Sequence, residues 1–322
     1  MKIFYHGDMD GIVAGYLLCN ETLGGTNHPE KRELYEFDYN NQKKIDDLSY
    51  DRQENIFFVD CAPDKEILDD LIGYVNRIFI IDHHVSREEM LKEYILEGEI
   101  DGFFYNGASA SLLVYCWNKY IRTGERTLLE VKDFLDWFSL SKENQEKSDI
   151  PLSIRLVNSW DIWNGFYIDA EAFKIAFESK GLTPLDQKEI KSLLYDNRIV
   201  ANTINEGYIM KKQIQSWADT FMKRYGYEVE FEGNKFFVAN LGQGNSKYFG
   251  ERIKQYDAVI AYCFNGRLWT FSIYSDSEKK FDCSEFAMRF YGGGHKKAAG
   301  FRMKEFPDWL RKKKKEEGNE DY

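Results

Sequence analysis

Short apolar runs alternate with amphipathic stretches through the first third of the chain. Residues 2–5, 34–37, 56–59 and 78–81 are rich in Ile, Phe, Val and Tyr and read as strands. Between them, residues 11–20 and 65–75 repeat their apolar positions at helical spacing. Strand and helix in alternation predict an α/β fold, a parallel sheet with helices on its faces. Three of the four runs end at acidic clusters: His6 to Asp10, Asp60, and Asp82 to His84. Open α/β sheets bind ligands at the carboxyl ends of their strands, so these clusters are expected to converge.

Residues 107–177 turn mostly helical. Residues 186–225 keep helical spacing for many turns, with Gly207 as their one glycine and no proline, and read as a long helix or helix pair. A second set of strands follows at 235–240, 258–264 and 268–274, the last two joined at Asn265-Gly266, a strong hairpin signal. A helix over 284–291 stops at Gly292-Gly293-Gly294, and the tail 311–322 is charged. No internal repeat is visible. The expected organisation is a catalytic domain over 1–185, a helical linker over 186–225, a smaller α/β domain over 226–305 and a charged tail over 306–322.

Composition sharpens this picture. A chain of 322 residues with 43% hydrophobic and 16% aromatic content can bury two cores and is not a disordered polymer. No run approaches the roughly 18 apolar residues of a membrane span. Asp8 and Asp10 interrupt the first twenty residues, where a signal peptide needs an apolar stretch. The five cysteines are scattered without a CxxC pair, which fits a reducing compartment, and a cytoplasmic location is expected. A net charge of −11 disfavours long polyanions and leans towards a small or short anionic substrate. The lysines at 312–315 are followed by acidic residues without interleaved aromatics, and read as a solvated tail. Of the five histidines, only His28 sits in an unremarkable loop; His6, His83, His84 and His295 adjoin Asp or Gly clusters.

These clusters carry the chemistry. In His6-Gly-Asp8-Met-Asp10-Gly11, alternate residues of an extended segment face one side, so two carboxylates and an imidazole can share a cavity. A helix N-cap by Asp10 accounts for one of them and leaves two unexplained. Asp60, before Cys-Ala-Pro63, is by itself equally an Asx turn. Asp82-His83-His84 places one carboxylate and two imidazoles at the end of a hydrophobic strand. Asp161 lies between Trp160 and Trp163, where a helix-capping role is the alternative. Carboxylates and imidazoles without thiolate suit Mn²⁺, with Mg²⁺, Fe²⁺, Co²⁺ or Zn²⁺ as substitutes.

His6-x-Asp8-x-Asp10-Gly11, Asp60, Asp82-His83-His84 and Asp161, in this order, resemble the four motifs of the DHH superfamily of phosphoesterases. Gly292-Gly293-Gly294-His295-Lys-Lys-Ala298-Ala299-Gly300-Phe301 resembles the signature of the DHHA1 domain of its oligoribonuclease and RecJ-like branch. Asn106-Gly-Ala-Ser109-Ala-Ser111 resembles a helix-opening loop between the third and fourth motifs. The likeness covers residues 1–303. It implies two divalent ions of the Mn²⁺ type, one on His6, Asp8 and Asp60, the other on Asp10, Asp60, His83 and Asp161, with Asp60 bridging. Asp82 would orient an imidazole and His84 would reach the substrate phosphate. Gly292, Gly293, Gly294 and His295 would grip substrate, with Ser109 and Tyr274 as further contacts. Tyr274, in Ser272-Ile273-Tyr274-Ser275, stands where many DHHA1 domains carry arginine.

The expected activity is two-metal hydrolysis of phosphodiester bonds in short oligonucleotides or in linear and cyclic dinucleotides. A phosphomonoesterase or pyrophosphatase acting on nucleotide bisphosphates or polyphosphate is the alternative. A non-catalytic scaffold ranks last, because every expected ligand is present. No membrane and no obligate protein partner is expected, and a homodimer is left open.

Overall fold

The computed structural model describes residues 1–20, 32–37, 39, 42, 45, 48–242 and 245–312. His28, the lysines at 313–315 and the rest of the tail lie outside the described residues. Two compact units, Met1–Met210 and Lys211–Tyr322, divide the chain.

In the first unit the elements run β1 (Lys2–His6), α1 (Met9–Asn20), β2 (Glu33–Phe37), β3 (Asn55–Val59), α2 (Lys65–Leu71), β4 (Arg77–Asp82), α3 (Val85–Glu97) and β5 (Asp101–Phe104). A helical stretch follows: α4 (Ala110–Cys116), α5 (Leu128–Ser139), α6 (Lys142–Lys147), α7 (Leu152–Asp161), α8 (Ala170–Ser179) and α9 (Gln187–Tyr195). α10 (Asn197–Tyr225) contains the division between the units. The five strands pair in parallel in the order β2-β1-β3-β4-β5.

Period-two alternation sorts the strand residues onto two apolar faces. Ile3, Tyr5, Phe57, Val59, Ile81 and Phe103 join one core with α1, α4, α5, α7 and α8. Phe4, Ile56, Phe58, Ile78, Ile80 and Phe104 join the other, with Leu68 and Leu71 of α2 and Leu91 of α3. α9 adds Ile190, Leu193 and Leu194 to the first core. The chain runs outward from β1 to β2 on one side and from β3 to β5 on the other. The strand order therefore reverses between β1 and β3, where such sheets open a crevice at their carboxyl ends.

The second unit carries β6 (Tyr227–Phe231), β7 (Asn234–Asn240), a short α11 (Arg252–Gln255), β8 (Ala258–Phe264), β9 (Trp269–Tyr274), α12 (Cys283–Met288), β10 (Gly293–His295) and β11 (Ala298–Met303). Its sheet order is β10-β11-β9-β8-β7-β6, antiparallel except for β7 with β8. Asn265-Gly266 turns β8 into β9 as expected, with Gly266 at φ 88°. Among the described residues, no helix is long and apolar enough to cross a membrane.

Candidate metal centre

His6 is the last residue of β1, and the chain enters α1 three residues later. The crossing is tight: a Cβ on Gly11 would meet the His6 carbonyl oxygen at 2.2 Å, so only glycine fits. Asp8 is the cap of α1, with Gly11 N–H donating to its Oδ1 at 3.0 Å. Its other oxygen, Oδ2, faces His6 Nδ1 at 3.0 Å. Asp10 has a different role from capping its own helix. Its carboxylate spans to the start of α4, where Ala110 N–H donates to Oδ2 (2.7 Å) and Ser111 N–H to Oδ1 (3.0 Å).

Asp60 follows β3 with φ 58°, a left-handed conformation uncommon for a residue with a Cβ. The twist leaves it buried, its N–H on the Ile81 carbonyl at 3.0 Å and its two oxygens facing different imidazoles. Oδ2 lies 3.6 Å from His6 Nδ1 and Oδ1 lies 3.4 Å from His83 Nε2. His83 Nε2 is also 3.2 Å from Asp161 Oδ2. Asp161 is the last residue of α7, so its negative charge opposes the helix dipole, an arrangement unfavourable without a nearby cation.

The sequence-predicted ligands thus gather into two groups whose donor atoms lie within 4.8 Å of one another: His6, Asp8 and Asp60, and Asp10, His83 and Asp161. Asp60 reaches the second group through His83. Asp60, Asp82, His83 and His84 form a third such group. In it Asp82 is fully buried and its Oδ1 accepts from His83 N–H (2.7 Å) and faces His84 Nδ1 at 2.8 Å. The imidazole that Asp82 orients is therefore that of His84, which is half exposed.

The electrostatics are those of four carboxylates crowded around two imidazoles. The Asp60 and Asp8 carboxylates beside its ring raise His6 to about 10. Burial pulls His83 down, but Asp60, Asp161 and Asp10 outweigh it and raise the group to about 9. Burial and the Asp60 charge push the Asp10 carboxyl up, and burial and Asp10 do the same to Asp161. Asp60 Oδ2 and Asp161 Oδ2 are buried and accept no hydrogen bond of good geometry, although imidazole nitrogens stand within ion-pair distance. Buried carboxylate oxygens left in this state fit cation ligands. Cys61, next to Asp60, does not join them. Its thiol points to the Phe4 carbonyl at 3.6 Å, and burial pushes its pKa well up, so the donor set stays oxygen and nitrogen.

Ser109, expected to contact substrate, is fully buried instead. Its N–H donates to Asn158 Oδ1 at 2.8 Å and its hydroxyl meets Ser111 Oγ at 3.0 Å, so it supports the loop beneath Asp10. Two cavities open on the ligand groups. One of about 410 Å³ is lined by His83, His84, Asn106, Asp161 and Trp163. One of about 230 Å³ is lined by Asp8, Asp10, Trp160, Asp161 and Lys174. Lys174 escaped sequence reasoning, because nothing local distinguishes it from other helical lysines. It lies 5.3 Å over the Trp160 ring and pairs with Glu178 at 2.6 Å.

In the second unit, His295 ends β10 and is exposed, as are Gly293 and Gly294. α12 closes without using the glycines as its left-handed cap. Tyr291 takes that position at φ 59°, and Gly292 N–H donates to the Ala287 carbonyl at 3.0 Å. Gly292 and Gly294 are needed for a different reason. A Cβ would meet Gly300 O at 2.2 Å on the first and Ala298 O at 2.6 Å on the second, so the strand pairing itself demands glycine. Gly293 has open space at its Cβ position. Tyr274 ends β9 with its ring half-buried against the core of Phe237, Phe249 and Val259.

Fold and site together define a two-unit α/β protein with a carboxylate–imidazole centre at the carboxyl ends of a parallel sheet. No family model matches the chain, and no curated protein matches it. Among solved structures it is similar to an uncharacterized protein from Helicobacter pylori G27 (18% identity, 95% of this chain and 93% of that one, TM-score 0.38). It is similar also to a pGpG-specific phosphodiesterase from Vibrio cholerae (13%, 94% and 92%, TM-score 0.45) and to CDC45 from Entamoeba histolytica (12%, 94% and 92%, TM-score 0.46).

Proposed function

We propose that this chain is a two-metal phosphoesterase that hydrolyses phosphodiester bonds in short oligonucleotides or dinucleotides. The observation that carries the reading is Asp60, a buried carboxylate whose two oxygens face His6 and His83 from a left-handed backbone. His6, Asp8 and Asp60 would hold one divalent ion, and Asp10, Asp60, His83 and Asp161 the other. Such a pair, when bound, activates a water at neutral pH and offsets charge on the phosphoryl oxygens. The chain's own residues do the rest. Asp10 is tied to the first turn of α4, which fixes one side of the centre. Asp82 accepts from His84 Nδ1–H, and this bond raises the imidazole's pKa; in the imidazolium form Nε2–H would be free to donate to a phosphate oxygen. The net charge of −11 favours short anionic substrates over long ones.

The test is an assay in Mn²⁺ that compares dinucleotides, cyclic dinucleotides, a twenty-mer RNA, nucleotide bisphosphates and polyphosphate. Dinucleotides to tetranucleotides are expected to turn over fastest. Turnover confined to bisphosphates or polyphosphate would transfer the assignment to the monoesterase and pyrophosphatase class.

A further inference from the structure

We infer that Trp163 is a stacking platform for a nucleobase, which assigns the substrate of this centre to nucleotides. The inference rests on the phosphoesterase reading above and deepens it.

Trp163 follows α7 two residues after Asp161 and lines the same cavity as His83, His84 and Asn106. It stands just beyond the helix end with φ 53°, the conformation for which glycine or asparagine is the ordinary choice. A tryptophan there strains the backbone and gains little burial in exchange, since it remains 70% exposed. Backbone conformation and burial do not by themselves account for a tryptophan at this place. The ring is nevertheless braced: Trp160 packs against it with centroids 4.7 Å apart, and Lys174 lies over Trp160. A braced indole lining a cavity of about 410 Å³, roomier than a phosphate alone needs, supplies a flat apolar face beside a charged centre. A nucleotide has the matching shape, a planar base one sugar away from a phosphate. Polyphosphate has no ring, and the saturated ring of a sugar phosphate offers no planar aromatic face to place there.

Two measurements separate this inference from the reading beneath it. The first is kcat/KM in Mn²⁺ for a dinucleotide and for the same ribose phosphodiester lacking bases. Trp163→Gly removes the ring and suits the backbone, so loss of folding does not explain its effect. It should lower the preference for the base-bearing substrate on the order of tenfold or more, while Trp163→Phe keeps most of it. The second needs no turnover: quenching of tryptophan emission by guanosine monophosphate and by ribose 5-phosphate in Mg²⁺. The mononucleotide should quench the wild type, with that component absent in Trp163→Gly, and ribose 5-phosphate should not. Unchanged preference together with unchanged quenching overturns the role of Trp163. Equal losses on both substrates mean a sugar contact and overturn it as well. If neither substrate is hydrolysed but the mononucleotide still quenches through Trp163, stacking stands and the phosphodiesterase reading falls.

Discussion

Asp60→Asn is the sharpest perturbation of the proposed centre. Asparagine has the same shape and tolerates a left-handed backbone, so the fold is little disturbed. The substitution turns one of two ligand oxygens into an amide NH₂, which cannot bind a cation. In the wild type, each ion at a hundredfold excess over its Kd stabilises the folded state by roughly 2.7 kcal/mol, hence roughly 5 kcal/mol for two. A unit the size of Met1–Met210 gains roughly 2–4 °C of Tm per kcal/mol, so Mn²⁺ should raise Tm by roughly 10–20 °C. In Asp60→Asn the His6–Asp8 group loses a third ligand and the His83 group its link to it. The metal-dependent rise should fall below about a third of the wild-type value. Melts of chelator-treated protein across a Mn²⁺ titration, with elemental analysis of bound metal, provide the readout. Two bound ions and a full Tm rise in Asp60→Asn would refute the bridging role.

Other outcomes follow from the same geometry. His83→Ala should lose metal, whereas His84→Ala should keep metal and lose turnover; equal metal loss by calorimetry would remove the distinction between the two imidazoles. Asp10→Ala should destabilise even the metal-free protein, because the Ala110 and Ser111 N–H groups lose their acceptor, by about 1–3 kcal/mol; an unchanged denaturant midpoint without metal would contradict the tie to α4. The raised His6 and His83 contribute stability that is full below about pH 6.5 and is lost as pH climbs towards about 9 to 10. The raised Asp10 and Asp161 carboxyls act in the same direction, since they too are more stable protonated. Deprotonation favours metal binding, so the Tm gap between Mg²⁺-loaded and chelator-treated protein should widen from pH 6 to 9; a constant gap would refute this linkage.

Much of the centre was legible because its ligands sit at the ends of strongly patterned strands. Residues 56–59 and 78–81 are continuous apolar runs, the mark of strands buried on both faces, and the polar residues directly after them had to emerge at one edge. β5 was missed: four residues with an Asp and a Gly leave only Phe103 and Phe104 as a signal, and these split between the two cores. β10 and β11 carry mostly small residues with little intrinsic strand preference, and exist because β9 offers them a pairing edge. The helix expected to end at residue 291 stops at Met288, where the chain turns towards β10. The Asp10 bond to α4 joins residues 100 positions apart, and no local pattern encodes it. The burial of Ser109 is of the same kind: a serine in a Gly-Ala-rich loop reads as exposed until α7 supplies Asn158 beneath it.

Several groups in the centre violate rules that the rest of the fold obeys. Asp60 adopts a backbone suited to glycine, Asp161 places a carboxylate at the wrong end of a helix, and Asp10 is fully buried beside other acids. Each is unfavourable by itself, and a folded protein tolerates such departures where function demands them. They also share one remedy. Positive charge placed between the His6 and His83 groups would satisfy Asp60 Oδ2 and Asp161 Oδ2, lower the cost of the buried Asp10, and compete with protons for the two imidazoles. A structural ion-pair cluster would not need that remedy, because its partners would already be lysine or arginine. Among the described residues, the only lysine lining either cavity, Lys174, is engaged with Glu178 and the Trp160 ring. Among the described residues these acids pair with no lysine or arginine, and that deficit is the physical reason for reading the site as a place where metal ions would bind.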